Sequence, residues 1–340
     1  MDTIKQLAAE ERTARIILAM ASEPADSVTG RMVRTVGATE TVARVVADEP
    51  VSGPDGDTWQ RRLATRINAA QIRRVLADTE RHGLRVLIPG DTDWPAGIDA
   101  LGDRTPVALW AKGDTSLLAA PVWDRVTVTG ARAATGYGEH VAMELAHAAV
   151  TDTRQVVSGG AYGIDGTAHR ATLASGGSTI AVMAGGLDRL YPAGHTELLA
   201  RVGRDGLLLS ELPPGAAPTK WRFMQRSRLL AALSGAIVVA EAGYRSGTLH
   251  TAAQAVELRR PLGAVPGPIT SAASAGCHRL LQDGLASVIT GYDDIRALLD
   301  GVREGAQRAV RRTVGLENDP LDPSAASRSS APSSGRGRSL

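Results

Sequence analysis

The sequence is poor in aromatic residues and has one cysteine. Aromatic side chains make up 3% of its 340 residues while 43% are hydrophobic, so a buried core must be aliphatic. The single Cys277 excludes an internal disulfide and a cysteine-based metal site, and it fits a reducing compartment, for which we expect the cytoplasm. No apolar run reaches 18 residues and the N-terminus has no long apolar segment, which predicts neither a membrane span nor a signal peptide.

A strong net charge is also missing. The formal net charge is +2, so the chain has no global basic field and any nucleic-acid site must be a local patch. All of the 38 basic residues except Lys5, Lys112 and Lys220 are arginines, which suits bidentate phosphate contacts and fits a GC-rich coding bias equally well. The seven histidines form no ligand-spaced set with carboxylates, so we expect no metal.

The composition divides the chain into three segments. We predict that residues 1–80 form a small helical domain with a helical-hairpin unit. This unit either contacts DNA backbones or only packs against the rest of the protein. Residues 81–300 form the predicted core. Residues 301–340 are basic and rich in Ser and Pro, and we expect this tail to be disordered.

The core segment alternates short apolar runs with Ala-rich stretches. Strands that are apolar throughout and alternate with helices predict an α/β fold, a Rossmann-like parallel sheet with helices on both faces. The predicted strands are 84–88, 107–110, 126–129, 155–158, 179–183, 207–210, 236–239, 262–265 and 287–289. The predicted helices are 137–150, 164–173, 196–202, 248–258 and 292–299.

Glycines follow three successive predicted strands, at Gly130, at Gly159-Gly160 and at Gly185-Gly186. Ligands of open α/β sheets bind outside the carboxyl ends of strands, where glycines let backbone N–H groups approach a phosphate. The spacing differs from the dinucleotide fingerprint and no acidic residue occupies the ribose position, so we expect no nicotinamide or other cofactor.

Two polar residues of the second glycine motif have a structural interpretation. A carboxylate would repel a phosphate, so Asp165 is predicted to cap its helix instead of binding ligand. His169 lies four residues later on the same helix face, and it is predicted to be a packed, hydrogen-bonded histidine and not a catalytic one.

The single phenylalanine lies beside two arginines. Phe223, Arg226 and Arg228 are typical of a site that stacks a base and holds a phosphate backbone. On a helix the two arginines diverge by about 200°, so one of them is equally able to form an internal salt bridge.

In their order along the chain, these motifs resemble the DNA-processing protein A (DprA or Smf) family. The similar signatures lie at 130–138, 158–169, 179–192, 210–211, 226–228, 241–252 and 266–267. The resemblance implies an extended Rossmann fold that binds single-stranded DNA in a basic pocket and self-associates. It also implies loading of the recombinase RecA onto incoming DNA in natural transformation, and no catalytic reaction. The residues predicted to contact DNA or phosphate are Gly130, Arg132, Thr135, Gly138, Ser158, Gly159, Gly160, Ala161, Gly186, Arg226, Arg228, Ser246, Gly247 and Thr248.

The chain departs from the family pattern in places. Ser227, His195 and His278 stand where Asn is common, which affects the fine geometry of the pocket. Many relatives end in a winged helix, for which residues 301–340 are too short and too polar.

The apolar segment at the end of the core is a predicted homodimer interface, because the final strand of a doubly wound sheet lies at an edge. Its predicted members are Leu280, Leu281, Leu285 and Ile289, and the alternative is that they face the protomer's own core.

The main alternative function is a nucleotide-binding enzyme, or a nucleotide sensor, of the lysine-decarboxylase-like phosphoribohydrolase type. Those enzymes share this kind of sheet and carry a Pro-Gly-Gly-x-Gly-Thr-x-x-Glu run with a catalytic Glu. The chain has Ser246-Gly247-Thr248, but Gln254 and Glu257 stand out of register with that motif. We therefore expect a DNA-binding protein and not an enzyme.

Overall fold

The computed structural model describes residues 2–51 and 55–313. Its strands belong to one nine-stranded sheet with the spatial order 1-2-6-5-4-3-7-8-9. The strands are β1 (Arg85–Leu87), β2 (Leu109–Gly113), β3 (Arg125–Gly130), β4 (Gln155–Ser158), β5 (Thr179–Met183), β6 (Leu207–Ser210), β7 (Ala236–Glu241), β8 (Leu262–Ala264) and β9 (Ser287–Val288). All nine coincide with predicted strands to within a few residues.

The strands from β3 to β9 are parallel to one another, which confirms the Rossmann-like prediction. The first two strands differ, because β1 pairs antiparallel with β2 and β2 pairs antiparallel with β6. A parallel pair needs a long helical crossover, whereas the segment between β1 and β2 contains only the 3₁₀ turns of Ala96–Arg104. The sheet is therefore mixed at this edge.

Helices cover both faces of the sheet. They are α7 (Gly136–Thr151), α8 (Ile164–Ala174), α9 (Thr196–Asp205), α10 (Lys220–Leu233), α11 (Thr248–Glu257), α12 (Ala275–Gln282) and α13 (Tyr292–Thr313). One apolar cluster joins α7, α8 and α13 to Val126 and Val128 of β3. Two others join α10, α11 and α12 to the opposite face. These clusters consist largely of Val, Leu, Ile and Ala, as the scarcity of aromatic residues predicts.

Six helices precede the sheet: α1 (Asp2–Leu7), α2 (Glu11–Ala21), α3 (Ser27–Val36), α4 (Ala38–Ala47), α5 (Gly56–Arg66) and α6 (Ala69–Arg81). Their buried side chains form one cluster with residues of β1, β2 and α9. Trp110 of β2 also donates a hydrogen bond to Thr79 of α6 (3.2 Å). Short amphipathic helices bury too little apolar surface by themselves, so this unit completes its core on the sheet.

The last helix is longer than predicted. Residues 301–313 continue α13, so the disorder expected from residue 301 is wrong for this part of the tail. Pairs one helical turn apart, Arg303 with Asp300 and Arg308 with Glu304, support the extension. The rest of the predicted tail lies outside the described residues. Within the described ranges, no helix combines the length and the apolar character needed to cross a bilayer.

Candidate functional site

The candidate site lies where the direction of the chain reverses across the sheet. From β3 the strands proceed outward to β6, and β7 then returns to the other side of β3. The loops after two such neighbouring strands diverge and leave a crevice at the carboxyl edge. A groove of about 850 Å³ occupies this crevice. The predicted site residues that line it are Gly130, Arg132, Ala161, Arg226, Ser246, Gly247 and Thr248.

A side-chain stack around Phe223 separates this groove from a second cavity. Helix α10 begins at Lys220, where the hydroxyl of Thr219 accepts the N–H of Arg222, and so brings Phe223 to the rim. The guanidinium carbons of Arg132 and Arg226 lie 4.5 and 5.4 Å from the centre of the Phe223 ring. The second cavity, about 40 Å³, adjoins this stack and is lined by Gly159, Ala161, Tyr162, Gly186, Arg189 and Tyr191 among others. The two spaces share Arg132, Ala161, Phe223 and Arg226.

Arg226 is the most enclosed cation of the site, with a side chain one-tenth exposed. Its Nη1 donates to the carbonyl oxygens of Gly159 and Val182, and its Nη2 lies 3.9 Å from Asp165. Burial lowers the pKa of the Arg226 guanidinium, and the Asp165 carboxylate opposes that shift. Its Nε–H has no hydrogen-bond partner among the described atoms.

The second glycine motif accommodates this arginine. A Cβ on Gly159 would lie 2.4 Å from Nη1 of Arg226, so only glycine allows the guanidinium to approach. Asp165 is buried and accepts hydrogen bonds from the Thr129 hydroxyl (2.8 Å) and from the Ala161 N–H (3.3 Å). Asp165 is therefore structural, but the prediction that it caps its helix is wrong, because its carboxylate holds the loop before α8 and makes no cap hydrogen bond to the helix.

Two predicted ligand contacts serve a buried carboxylate instead. Glu241, at the end of β7, accepts hydrogen bonds from the Thr135 N–H (2.8 Å) and hydroxyl (2.6 Å). A Cβ on Gly138 would lie 2.6 Å from Oε2 of Glu241. Thr135 also caps α7 by accepting the Gly138 N–H. Neither residue lines the groove or the smaller cavity, and their contacts with Glu241 shape the loop before α7.

Three other predicted contacts are also buried away from the cavities. Ser158 donates to the Val128 carbonyl (2.7 Å). Gly160 adopts a positive φ of 70° below the surface. Arg228 is 1% exposed and its Nη2 lies 2.6 Å from Glu211, which is the internal salt bridge that its helical position allows. The divergence of the two arginines thus leaves Arg226 in the site and removes Arg228 from it.

Three cations of the site were not predicted. Arg189 lines the smaller cavity, and Lys220 and Arg245 line the groove. Together with Arg132, they form no ion pair with any other described residue. Arg189 and Arg245 lie in the loops after β5 and β7, and Lys220 is the first residue of the helix after β6, so position beyond the carboxyl end of a strand is the signal that would have found them. Unpaired cations around a glycine-lined crevice form an anion-binding surface.

His169 is the packed histidine that was predicted. It is fully buried on α8, and its Nδ1 lies 2.8 Å from the Thr179 hydroxyl. Burial lowers its pKa to about 4. The imidazole is therefore neutral near pH 7.

The predicted interface residues divide into two kinds. Leu280 and Ile289 are buried in the protomer's own core, so they are wrong as contact residues. Leu281 is half-buried, and Leu285 is 45% exposed. Strand β9 does lie at the edge of the sheet, where Val288 is also exposed. Leu285 and Val288 are therefore the exposed apolar side chains at this edge, with Leu281 partly accessible beside them.

Comparison of the sequence with protein families identifies one that covers most of the core. A sequence profile described as DNA recombination-mediator protein A matches residues 85–300. A putative DNA processing protein DprA of Mycobacterium tuberculosis is 45% identical over 314 residues, which are 88% of this chain and 78% of that protein. The DNA processing protein DprA of Streptococcus pneumoniae is 40% identical over 203 residues, 60% of this chain and 70% of that one.

Solved structures with the same fold include two of this kind. The X-ray structure of DNA processing protein A from Streptococcus pneumoniae superposes with a TM-score of 0.70 at 30% identity, over 84% of this chain and 97% of that chain. A structure of DNA processing protein A from Helicobacter pylori, described for its single-stranded DNA binding mode, superposes with a TM-score of 0.57 at 30% identity, over 64% and 95%.

Proposed function

The chain belongs to the DNA recombination-mediator protein A family, and we propose that it binds single-stranded DNA in the groove between the ends of β3 and β7. One observation carries the proposal. Arg132, Lys220 and Arg245 line this groove without ion-pair partners among the described residues, and Arg189, likewise without one, lines the adjoining cavity on the other side of Phe223. The Helicobacter pylori relative, described as a single-stranded DNA binder, adds support from the same fold.

The proposed DNA contacts are of two kinds, to phosphates and to bases. Exposed arginines and Lys220 neutralise phosphates, and the glycine loops at Gly130 and Gly247 let backbone N–H groups come close to them. Phe223 offers a ring on which an unpaired base stacks once Arg132 moves from its face. Phosphate contacts and stacking carry little sequence information, so binding should depend weakly on sequence.

The test is a fluorescence-anisotropy titration of single-stranded and duplex oligonucleotides at several salt concentrations. If three or four phosphates are neutralised per protomer, the log–log salt slope for single strands should be about −2 to −3. A slope near zero, or a preference for duplex DNA, would contradict the proposal.

We further propose that the protein acts as a homodimer in the cytoplasm and loads RecA onto incoming DNA in natural transformation or recombination. Family membership supports this assignment, and the exposed β9 edge at Leu285 and Val288 offers a surface for a second copy. Two grooves side by side would hold one strand with higher avidity. The test is RecA ATPase activity on DNA coated with single-stranded-DNA-binding protein, which this protein should stimulate. Unchanged activity would count against loading.

A nucleotide-hydrolysing function has less support. Glu257, the glutamate nearest to the expected catalytic position, pairs with Arg104 at 2.5 Å and accepts from Gln254 at 2.9 Å on the outer side of α11. Among the described residues, Asp165 provides the carboxylate that lines the groove, and its hydrogen bonds hold it in the loop before α8. Nucleoside monophosphates incubated with the protein should therefore release no base.

A further inference from the structure

Helix α10 extends the cationic site beyond the groove. Lys220 at its first turn lines the groove, and the next residue, Trp221, is 50% exposed. The other four tryptophans are buried or half-buried, at Trp59, Trp94, Trp110 and Trp123. A half-exposed tryptophan beside a groove lysine presents a flat ring at the surface, which suits an unpaired base.

The following residue connects α10 to the N-terminal helices. Arg222 donates from Nε and Nη2 to the carboxylate of Glu23, at 3.0 and 3.2 Å. Arg66, in the last turn of α5, contacts the same carboxylate at 3.4 Å. Arg62, one turn earlier, pairs with Asp26. The N-terminal end of α10 and the exposed side of α5 are therefore adjacent surfaces.

One stretch of α5 and α6 is rich in arginine, although α5 also contains Asp57 and α6 contains Asp78 and Glu80. Residues 59–76, in α5 and the first part of α6, contain five arginines and no acidic residue. Arg61 is exposed next to Arg62 and forms no ion pair with another described residue. Glu23 and Asp26 neutralise only part of the positive charge of Lys220, Arg222, Arg62 and Arg66. An excess of positive charge thus continues from the groove onto α5.

We propose that Trp221 and the arginines of α5 form an exit track along which the single strand continues when it leaves the groove. The inference rests on the proposed function, because the track receives the same strand. Arg61, Arg62 and Arg66 would neutralise phosphates of the emerging segment, while a base stacks on Trp221. Duplex DNA keeps its bases stacked inside the helix, so an exposed ring favours a single strand over a duplex as the occupant.

The experiment compares two oligo(dT) probes by anisotropy. A probe of about 5 nucleotides fills the groove alone, and one of about 20 nucleotides extends beyond it. Trp221→Ala should weaken binding of the long probe by about five- to tenfold and leave the short probe within twofold, because a stacked base is lost only outside the groove. Trp221→Phe should restore most of the loss. Long-probe binding should also quench the tryptophan fluorescence of the parent protein but not that of Trp221→Phe.

A charge variant tests the arginine side of the track. Arg61→Glu should reduce the magnitude of the salt slope for the long probe by about 1, with the short-probe slope unchanged. The matched control is Arg204→Glu, which makes the same change of charge in the last turn of α9, just before the amino end of β6 and away from the carboxyl ends of the strands that carry the groove. This control should bind both probes like the parent.

The outcomes separate the two proposals. If the parent does not bind the short probe, single-strand binding in the groove fails and the track fails with it. If the parent binds the short probe but Trp221→Ala and Arg61→Glu bind the long probe like the parent, the groove stands and the track is wrong. Equal weakening of both probes would place Trp221 inside the groove's own contacts and would also overturn the track.

Discussion

Replacing Arg228 by alanine should destabilise the fold and leave the DNA affinity of the folded protein unchanged. The guanidinium donates to the Glu211 carboxylate (2.6 Å), to the Arg104 carbonyl (3.0 Å) and to the Gln225 carbonyl (3.2 Å). Because Arg228 is 1% exposed and the Glu211 side chain 11%, the substitution leaves a carboxylate with little water and no cation.

The expected loss is about 3–5 kcal/mol, the usual cost of removing one partner of a buried ion pair. Alanine favours a helix, so the helix propensity of α10 does not add to this loss. At about 2–3 °C per kcal/mol for a chain of this size, the melting temperature should fall by about 6–15 °C.

Thermal unfolding followed by circular dichroism measures the loss, and anisotropy well below the melting temperature measures DNA affinity. Arg228→Met combined with Glu211→Gln should recover part of the stability, because neither partner then leaves an unpaired buried charge. An unchanged melting temperature together with tenfold weaker DNA binding would show that Arg228 contacts the ligand and that its ion pair is unimportant.

Three further substitutions or conditions give separate checks. Arg132→Ala removes an exposed cation from the groove, so it should weaken single-strand binding by about ten- to hundredfold, or about 1.5–3 kcal/mol, with nearly unchanged melting temperature; equal affinity would make Arg132 a merely solvated residue. Burial lowers the pKa of His169 to about 4, so the unfolded chain binds a proton near pH 6.5 that the folded chain does not. Stability should therefore be full above pH 6.5 and should fall by about 3 kcal/mol as the pH drops to about 4, and urea unfolding of His169→Gln should show a smaller fall. Leu285→Arg should give a folded monomer in size-exclusion chromatography with light scattering, because the charge would appear twice across a twofold axis; a parent protein that is already monomeric at tens of micromolar would refute the interface.

The sequence alone was sufficient for the nine strands, for the parallel part of the sheet and for the edge at which the glycine loops meet. The period of apolar residues and the position of glycines are local properties, and they predicted all nine strands and the crevice beyond Gly130 and Gly159. A parallel sheet places all such strand ends at one edge, so local signals were enough to bring these loops together. The directions of β1 and β2 were not determined in this way, because no helix between them signals their relative orientation.

Partners that are distant in sequence required the tertiary structure. No residue near Thr135 in the sequence indicates that Glu241 accepts its hydrogen bonds. Likewise, no residue near Arg66 indicates that Arg66 and Arg222 both contact Glu23.

The two arginines of α10 show the same limit. Arg226 and Arg228 have the same chemistry two residues apart, and the helix turns one toward the groove and the other toward Glu211. The helical period predicts that the two side chains point in different directions. Which of them reaches the groove depends on which face of α10 the rest of the chain covers. Side-chain burial is decided by packing between elements, and that packing exists only after the whole chain has folded.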